Sequence, residues 1–213
     1  MFCSPKCRNE ASQRFHRYEC PIMALMKSGS VHIALRFLFI SILAFEGSVE
    51  NLENFITETD KTVMTPFDFD LSTGDDFIAN TKNYLRCLNS LSQSSKMFSV
   101  QHHSEILSGH PDLKDVWQSH EKFLRNLLQR FCQINDLYFH GIFSSNLKLP
   151  TMKQTLNVFK DYQQPIGSGW FPFCSLINHS CCPNVARIYV EGKVVLVACR
   201  PIDKGSQLFD CYK

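Results

Sequence analysis

Apolar residues recur at helical spacing along the first two thirds of the chain and alternate at strand spacing only near its end. Val31 to Phe45 is nearly continuous apolar sequence, interrupted by His32 and Arg36, so residues 22–45 are expected to form an apolar helix. Residues 46–76 carry nine acidic side chains and one lysine without a sustained period. That pattern predicts a solvated loop or a ragged helix pair rather than a binding site. Phe77, Ile78, Thr81, Tyr84, Leu85, Leu88 and Leu91 share one face of a helix. A second amphipathic helix runs from Asp112, an N-cap after Pro111, to about Phe131. It aligns Leu113, Val116, Trp117, His120, Phe123, Leu124, Leu127, Leu128 and Phe131 at a 3.6-residue period. His120 lies on that face and reads as a core histidine rather than a ligand. From residue 156 glycine, proline and β-branched residues take over. Val185–Val190 and Val194–Ala198 read as strands joined at Glu191-Gly192, where Gly192 supplies positive φ for a tight hairpin. Pro201–Gly205 is a further turn and Gln207–Tyr212 a third strand. No internal repeat or low-complexity linker is present.

Composition narrows the class. A 213-residue chain with 44% hydrophobic and 20% charged residues is an ordinary globular protein of one or two domains. A formal net charge of +2 is too near neutral to argue for a nucleic-acid or membrane surface. The run from Val31 to Phe45 falls short of the roughly 20 residues that span a bilayer. The first residues lack the basic segment and apolar run of a secretory signal. Reduced thiols and zinc are thus expected over disulfides among the ten cysteines, in the cytoplasm or nucleus. Cys87, Cys132, Cys174 and Cys199 lie in apolar stretches and read as buried thiols. The sequon Asn178-His179-Ser180 means little in a chain that is not secreted.

Two constellations carry chemistry. Cys3 and Cys7 are four residues apart, as are His16 and Cys20. On a helix each pair shares a face and can pinch one ion. Ser4-Pro5 looks like an N-cap with proline at the first helical position. If the helix continues through Phe15, Cys7 and His16 stand about 13 Å apart at a rise of 1.5 Å per residue, too far to share one zinc. Two half-sites follow; the plain alternative is four scattered side chains without metal. The second constellation comprises Gly167-Ser168-Gly169-Trp170-Phe171-Pro172, Ser175-Leu176-Ile177-Asn178-His179-Ser180-Cys181-Cys182-Pro183-Asn184, Ile202-Asp203-Lys204-Gly205 and Phe209-Asp210-Cys211-Tyr212. His179-Ser180-Cys181 could suggest a thiol nucleophile with a base, but such near neighbours rarely face each other productively and no orienting group is evident. Asn178-His179 as a buried turn and Tyr212 as a strand aromatic are the bland readings.

The first constellation, with Phe2, Lys6, Arg8, Ala11, Arg17, Tyr18 and Glu19 around its ligands, resembles the second half of a MYND zinc finger. The second resembles the C-terminal part of a SET core, with its Asn-His-Ser-Cys-x-Pro-Asn motif, hairpin, Lys-Gly turn and motif tyrosine. Together they resemble the SMYD family of protein-lysine methyltransferases, and the wording is most like the arthropod, TPR-containing branch. The fold implied is α+β: a partial MYND finger at 1–21, a mainly helical SET insert at 22–155, and the C-terminal part of an incomplete antiparallel SET core at 156–213. By resemblance Cys3 and Cys7 belong to one zinc and His16 and Cys20 to another. Their four companion cysteines would precede Met1. Cys181 would bind a third Zn2+ with cysteines beyond Lys213, and the first part of the SET core would also lie outside the chain.

The resemblance implies S-adenosyl-L-methionine as cofactor and a protein substrate presenting a neutral lysine amine that attacks the sulfonium methyl in line. Alignment and a dry channel suffice for that chemistry. Asn178 and His179 would hold the cofactor, Asn157 would lie near it, Phe159 would line the lysine channel, and the Tyr212 hydroxyl would sit by the transferring methyl. The finger would dock proline-rich peptides; no direct nucleic-acid or membrane contact is expected. The rival reading is a non-catalytic MYND/SET scaffold or corepressor-type binding protein. A third is a partial chain without an independent fold, and the parent protein would be the enzyme rather than this chain alone.

Overall fold

The computed structural model describes residues 4–25, 29–91, 99–145, 163–190 and 193–212. Cys3, Asn157, Phe159 and the Glu191-Gly192 turn lie outside them. Two compact units make up the chain, Met1–Leu137 and Tyr138–Lys213.

Local sequence signals set most of the helical unit. Ser4 Oγ accepts the Cys7 amide at 3.1 Å, and Pro5 opens α1 (Pro5–Ala11). The backbone stays helical through a π-turn at Ser12–His16 and α2 (Arg17–Glu19), then tightens into a 3-10 segment at Cys20–Leu25. The apolar run forms α3 (Gly29–Leu43), which buries Val31, Ala34, Leu35, Leu38 and Phe39. No helix among the described residues is long and apolar enough to cross a membrane. The acidic stretch is more regular than its charge pattern suggests. Ser48 Oγ accepts the Asn51 amide at 3.2 Å to cap α4 (Val49–Thr59), and Val49, Leu52 and Ile56 turn inward.

Asp76 caps α5 (Phe77–Arg86), which buries Thr81, Tyr84 and Leu85. Leu88 and Leu91 are also buried, from the turn that follows. Ile78 departs from the expected face: burial begins at the second helical turn, and Ile78 stays 47% exposed. After α6 (Gln101–Ser108), α7 (Lys114–Tyr138) starts later than expected. Asp112 does not cap it; the Asp112 amide is instead taken by Nδ1 of buried His110 at 3.1 Å. His110 Nε2 lies 2.9 Å from the Tyr18 carbonyl, so this ring fastens α2 to the start of α7. Leu124, Leu127, Leu128 and Phe131 are buried as the period predicts. His120 is no core residue: it sits at a kink (φ −125°, ψ 23°), part-exposed, 3.9 Å from the Glu53 carboxylate.

In the second unit β1 (His140–Ser145) pairs antiparallel with β2 (Gln163–Gly169), with a bulge between Ile142 and Phe143. The predicted hairpin is β4 (Val185–Val190) against β5 (Lys193–Ala198). The third strand differs from expectation in length and direction. Only Phe209–Asp210 forms β6, and it runs parallel to β3 (Asn178–His179). An antiparallel description of this unit is therefore incomplete. The Lys204-Gly205 turn, with Gly205 at φ 87°, precedes β6. Cys174 is buried as expected, but Cys199 is exposed because it lies past the end of β5.

Candidate functional site

The parallel β3–β6 pair brings together segments some thirty residues apart in the chain. Asn178 pairs with Phe209 and His179 with Asp210. The Ser180 amide donates to the Asp210 carbonyl at 2.9 Å and the Asn184 amide to the Phe209 carbonyl at 3.1 Å. The buried Asn184 side chain completes this staple: Oδ1 accepts the Phe209 amide at 2.8 Å and Nδ2 donates to the Gln207 carbonyl at 2.9 Å. Motif and C-terminal strand are thus fixed to one another mostly through backbone groups.

Three of the expected site residues meet here. Asn178 is exposed and His179 half-buried. The Tyr212 ring lies 5.1 Å from the His179 ring, tilted by 48°. Tyr212 stays 54% exposed while its hydroxyl donates to the Ile177 carbonyl. Burial raises the phenol above its ordinary range, with Tyr138 and Asp210 adding to the rise and Arg187 opposing it. A neutral phenol that spends its proton on a carbonyl keeps its lone pairs for a neighbouring electron-poor group.

The Tyr212 amide donates to His179 Nδ1 at 3.1 Å, and His179 Nε2 lies 3.4 Å from Cys181 Sγ. The near neighbours His179 and Cys181 therefore do face each other, contrary to the sequence expectation. The contact still does not make a nucleophile. Nδ1 is the acceptor, so the ring proton sits on Nε2 and points at the sulfur. An imidazole held that way cannot take the thiol proton. Cys182 lies exposed beside Arg200. Arg200 Nη2 donates to the Cys182 carbonyl at 3.0 Å, and Nη1 stands 3.6 Å from Sγ.

Of the predicted metal ligands, Cys3 lies outside the described residues, and His16 ends the π-turn between Cys7 and Cys20. Cys7 is half-buried and Cys20 exposed on the helical segment, and Cys181 is exposed on the motif loop. A structural zinc takes four ligands, and among the described residues no three His, Cys, Asp or Glu side chains come together to hold an ion. These residues alone therefore do not fit zinc.

Sequence reasoning missed a buried polar cluster behind the site. The Asp210 side chain is 5% exposed and lies 2.7 Å from Nε of Arg187, itself 17% exposed. The pair is close enough for charge attraction, although that N–H is not directed at Oδ2. Arg187 Nη2 donates to the Cys211 carbonyl at 3.0 Å and Nη1 to His140 Nδ1. Burial first, then the Arg187 charge, pushes His140 down to about 4 against the opposing pull of Asp210. A signal was present: strict alternation along Val185–Val190 puts Arg187 on the side of buried Val185.

A model of the SET domain family matches residues 8–213. The chain is similar to the Protein-lysine N-methyltransferase SMYD4 of Pongo abelii, at 22% identity over 267 residues, covering 99% of this chain and 32% of that protein. SMYD4 of Homo sapiens gives 23% over the same shares. The Histone-lysine N-methyltransferase SMYD3 of Mus musculus gives 27% over 100 residues, covering 47% of this chain and 22% of that protein. The chain spans about a third of the length of the SMYD4 relatives. With residues 8–213 matched and SMYD methyltransferases among its relatives, the chain belongs to the SET domain family, among its SMYD members.

Proposed function

We propose that this chain supplies part of the catalytic site of an S-adenosylmethionine-dependent protein-lysine N-methyltransferase. The observation that carries the reading is the parallel β3–β6 pair, which sets Asn178 and His179 beside Tyr212. The site's chemistry suits the cofactor: an exposed amide, two aromatic faces and a neutral phenol oxygen can meet a nucleoside and a cationic sulfur without repulsion. When bound, S-adenosylmethionine supplies an electrophilic methyl group. Asn178 and the backbone around His179 bind it. Tyr212 accepts contact from electron-poor groups and orients the incoming neutral amine, and the loop around it excludes water. Asn157 and Phe159 are proposed to flank the cofactor and the lysine channel.

The remainder of the proposal concerns the organisation of the chain. It comprises a partial MYND finger at 1–21, a helical insert at 22–155 and a SET core segment at 156–213. Zinc at Cys3, Cys7, His16, Cys20 and Cys181 would need ligands from elsewhere, and proline-rich peptides would dock on the finger. A cytoplasmic or nuclear location and a place in the arthropod TPR-containing branch belong to the same reading. Titration calorimetry of the full protein with S-adenosylmethionine tests it. Asn178→Ala is expected to weaken binding about tenfold, near the ~1–3 kcal/mol typical of an unmade polar contact. A wild-type protein that binds no cofactor would leave the scaffold reading in its place.

A further inference from the structure

We infer that Arg187 is a positioning residue for Tyr212, a role that rests on the catalytic reading of that tyrosine. Strand β4 turns the wrong residues outward for a simple two-sided strand. Ile188 is 41% and Val190 46% exposed, while the charged Arg187 side chain is only 17% exposed. Across the hairpin Val195 and Val197 share the outer face with them, opposite Ile188 and Ala186. Burying a guanidinium in place of aliphatic side chains is unfavourable unless its donors are met.

Here its donors reach two other segments at once, the end of β6 and the start of β1. Nη2 donates to the Cys211 carbonyl, Nη1 donates to His140 at the start of β1, and Nε lies 2.7 Å from the Asp210 carboxylate as an ion pair whose N–H is not directed at Oδ2. Asp210 is held from its other oxygen, which accepts the Cys211 amide at 2.7 Å. Arginine has no acceptor, so His140 must receive at Nδ1 and carry its proton on Nε2, which is buried without a hydrogen-bond partner. The ring is therefore a neutral prop for the guanidinium. Both backbone groups of Cys211, the residue preceding Tyr212, are fixed by this cluster: the amide by Asp210 and the carbonyl by Arg187. That leaves the Tyr212 amide to meet His179 and its hydroxyl to meet Ile177. β6 itself is only two residues long, too short to set the angle of the following peptide. Arg187 supplies the missing constraint, and a planar fork does so where a lysine's single ammonium could not.

The test uses the full protein. Arg187→Met alone strands the Asp210 carboxylate in a buried site and can unfold the unit, so the informative variant is Arg187→Met with Asp210→Asn. It is expected to melt near wild type and to bind S-adenosylmethionine within about twofold of wild type while kcat falls about tenfold and KM for the lysine substrate holds. Arg187→Lys, which keeps the charge on Asp210 but not the fork, is expected to recover part of that loss. Tyr212→Phe is measured alongside. If the double variant keeps wild-type kcat while Tyr212→Phe loses it, Arg187 has no positioning role and the catalytic reading stands. If Tyr212→Phe also keeps wild-type kcat, the catalytic reading fails and the inference falls with it.

Discussion

Asn184→Ala probes the staple on which the site is built. The side chain makes two hydrogen bonds to the strand that carries Tyr212, to the Phe209 amide at 2.8 Å and the Gln207 carbonyl at 2.9 Å. Each contributes about 1 kcal/mol net. Gln207 is exposed, so its carbonyl can turn to water. Phe209 is half-buried, and its stranded amide adds roughly 1 kcal/mol more. The sum is about 3 kcal/mol, or a fall in Tm of roughly 10–20 °C for a unit of this size. Thermal unfolding followed by circular dichroism measures it, and hydrogen exchange at the Phe209 amide localises it. The backbone bonds of Asn184 to Phe209 and Cys199 survive the substitution, so residual pairing is expected and complete unfolding at room temperature is not. A midpoint within about 2 °C of wild type, with Phe209 still protected, would refute the staple, since the smallest expected loss is several degrees.

Other outcomes follow from buried charge and buried thiols. Glu19, 2% exposed, receives Arg36 at 2.7 and 3.0 Å with His32 at 3.3 Å. Arg36→Met should therefore destabilise by about 3 kcal/mol in urea unfolding, and Glu19→Gln in the same chain should restore most of it. Burial pushes the Cys87 and Cys132 thiols up to about 12 and that of Cys174 to about 11. Mass-mapped alkylation at pH 8 should mark exposed Cys20, Cys181, Cys182 and Cys199 first and these three only after unfolding. His140 is held neutral down to about 4 against an ordinary 6.5. The unfolded chain binds that proton first, so the stability His140 contributes is whole above pH 6.5 and is lost as pH falls toward 4; His140→Gln should flatten that slope in a pH series of melts.

The sequence made the helices and the motif legible for different reasons. Ser4-Pro5 announces a helix start through a local side-chain bond that needs no tertiary context, whereas the caps at Ser48 and Asp76, of the same kind, went unread in an acidic stretch without a period. Leu124 to Phe131 announce a buried face by period alone. What failed depended on partners far along the chain. Asp112 lost its capping role to His110, whose ring also reaches Tyr18. Gln207–Tyr212 was legible as extended sequence, but its parallel partner at Asn178–His179 follows from a backbone pairing that no local pattern encodes. Arg187 was hidden because a charged residue in an apolar strand reads as an outward one. Only Asp210, the Cys211 carbonyl and His140 together make its burial tolerable.

If Tyr212, held beside His179 by the β3–β6 pair, aligns methyl transfer to a lysine amine, its hydroxyl is needed for turnover. Methyl incorporation from labelled S-adenosylmethionine into a lysine substrate, compared between the full wild-type protein and Tyr212→Phe, tests it most directly. Turnover is expected to fall by about a hundredfold, the ~3 kcal/mol typical of one lost contact at a developing charge, with cofactor binding unchanged in calorimetry. Wild-type turnover in Tyr212→Phe would contradict it.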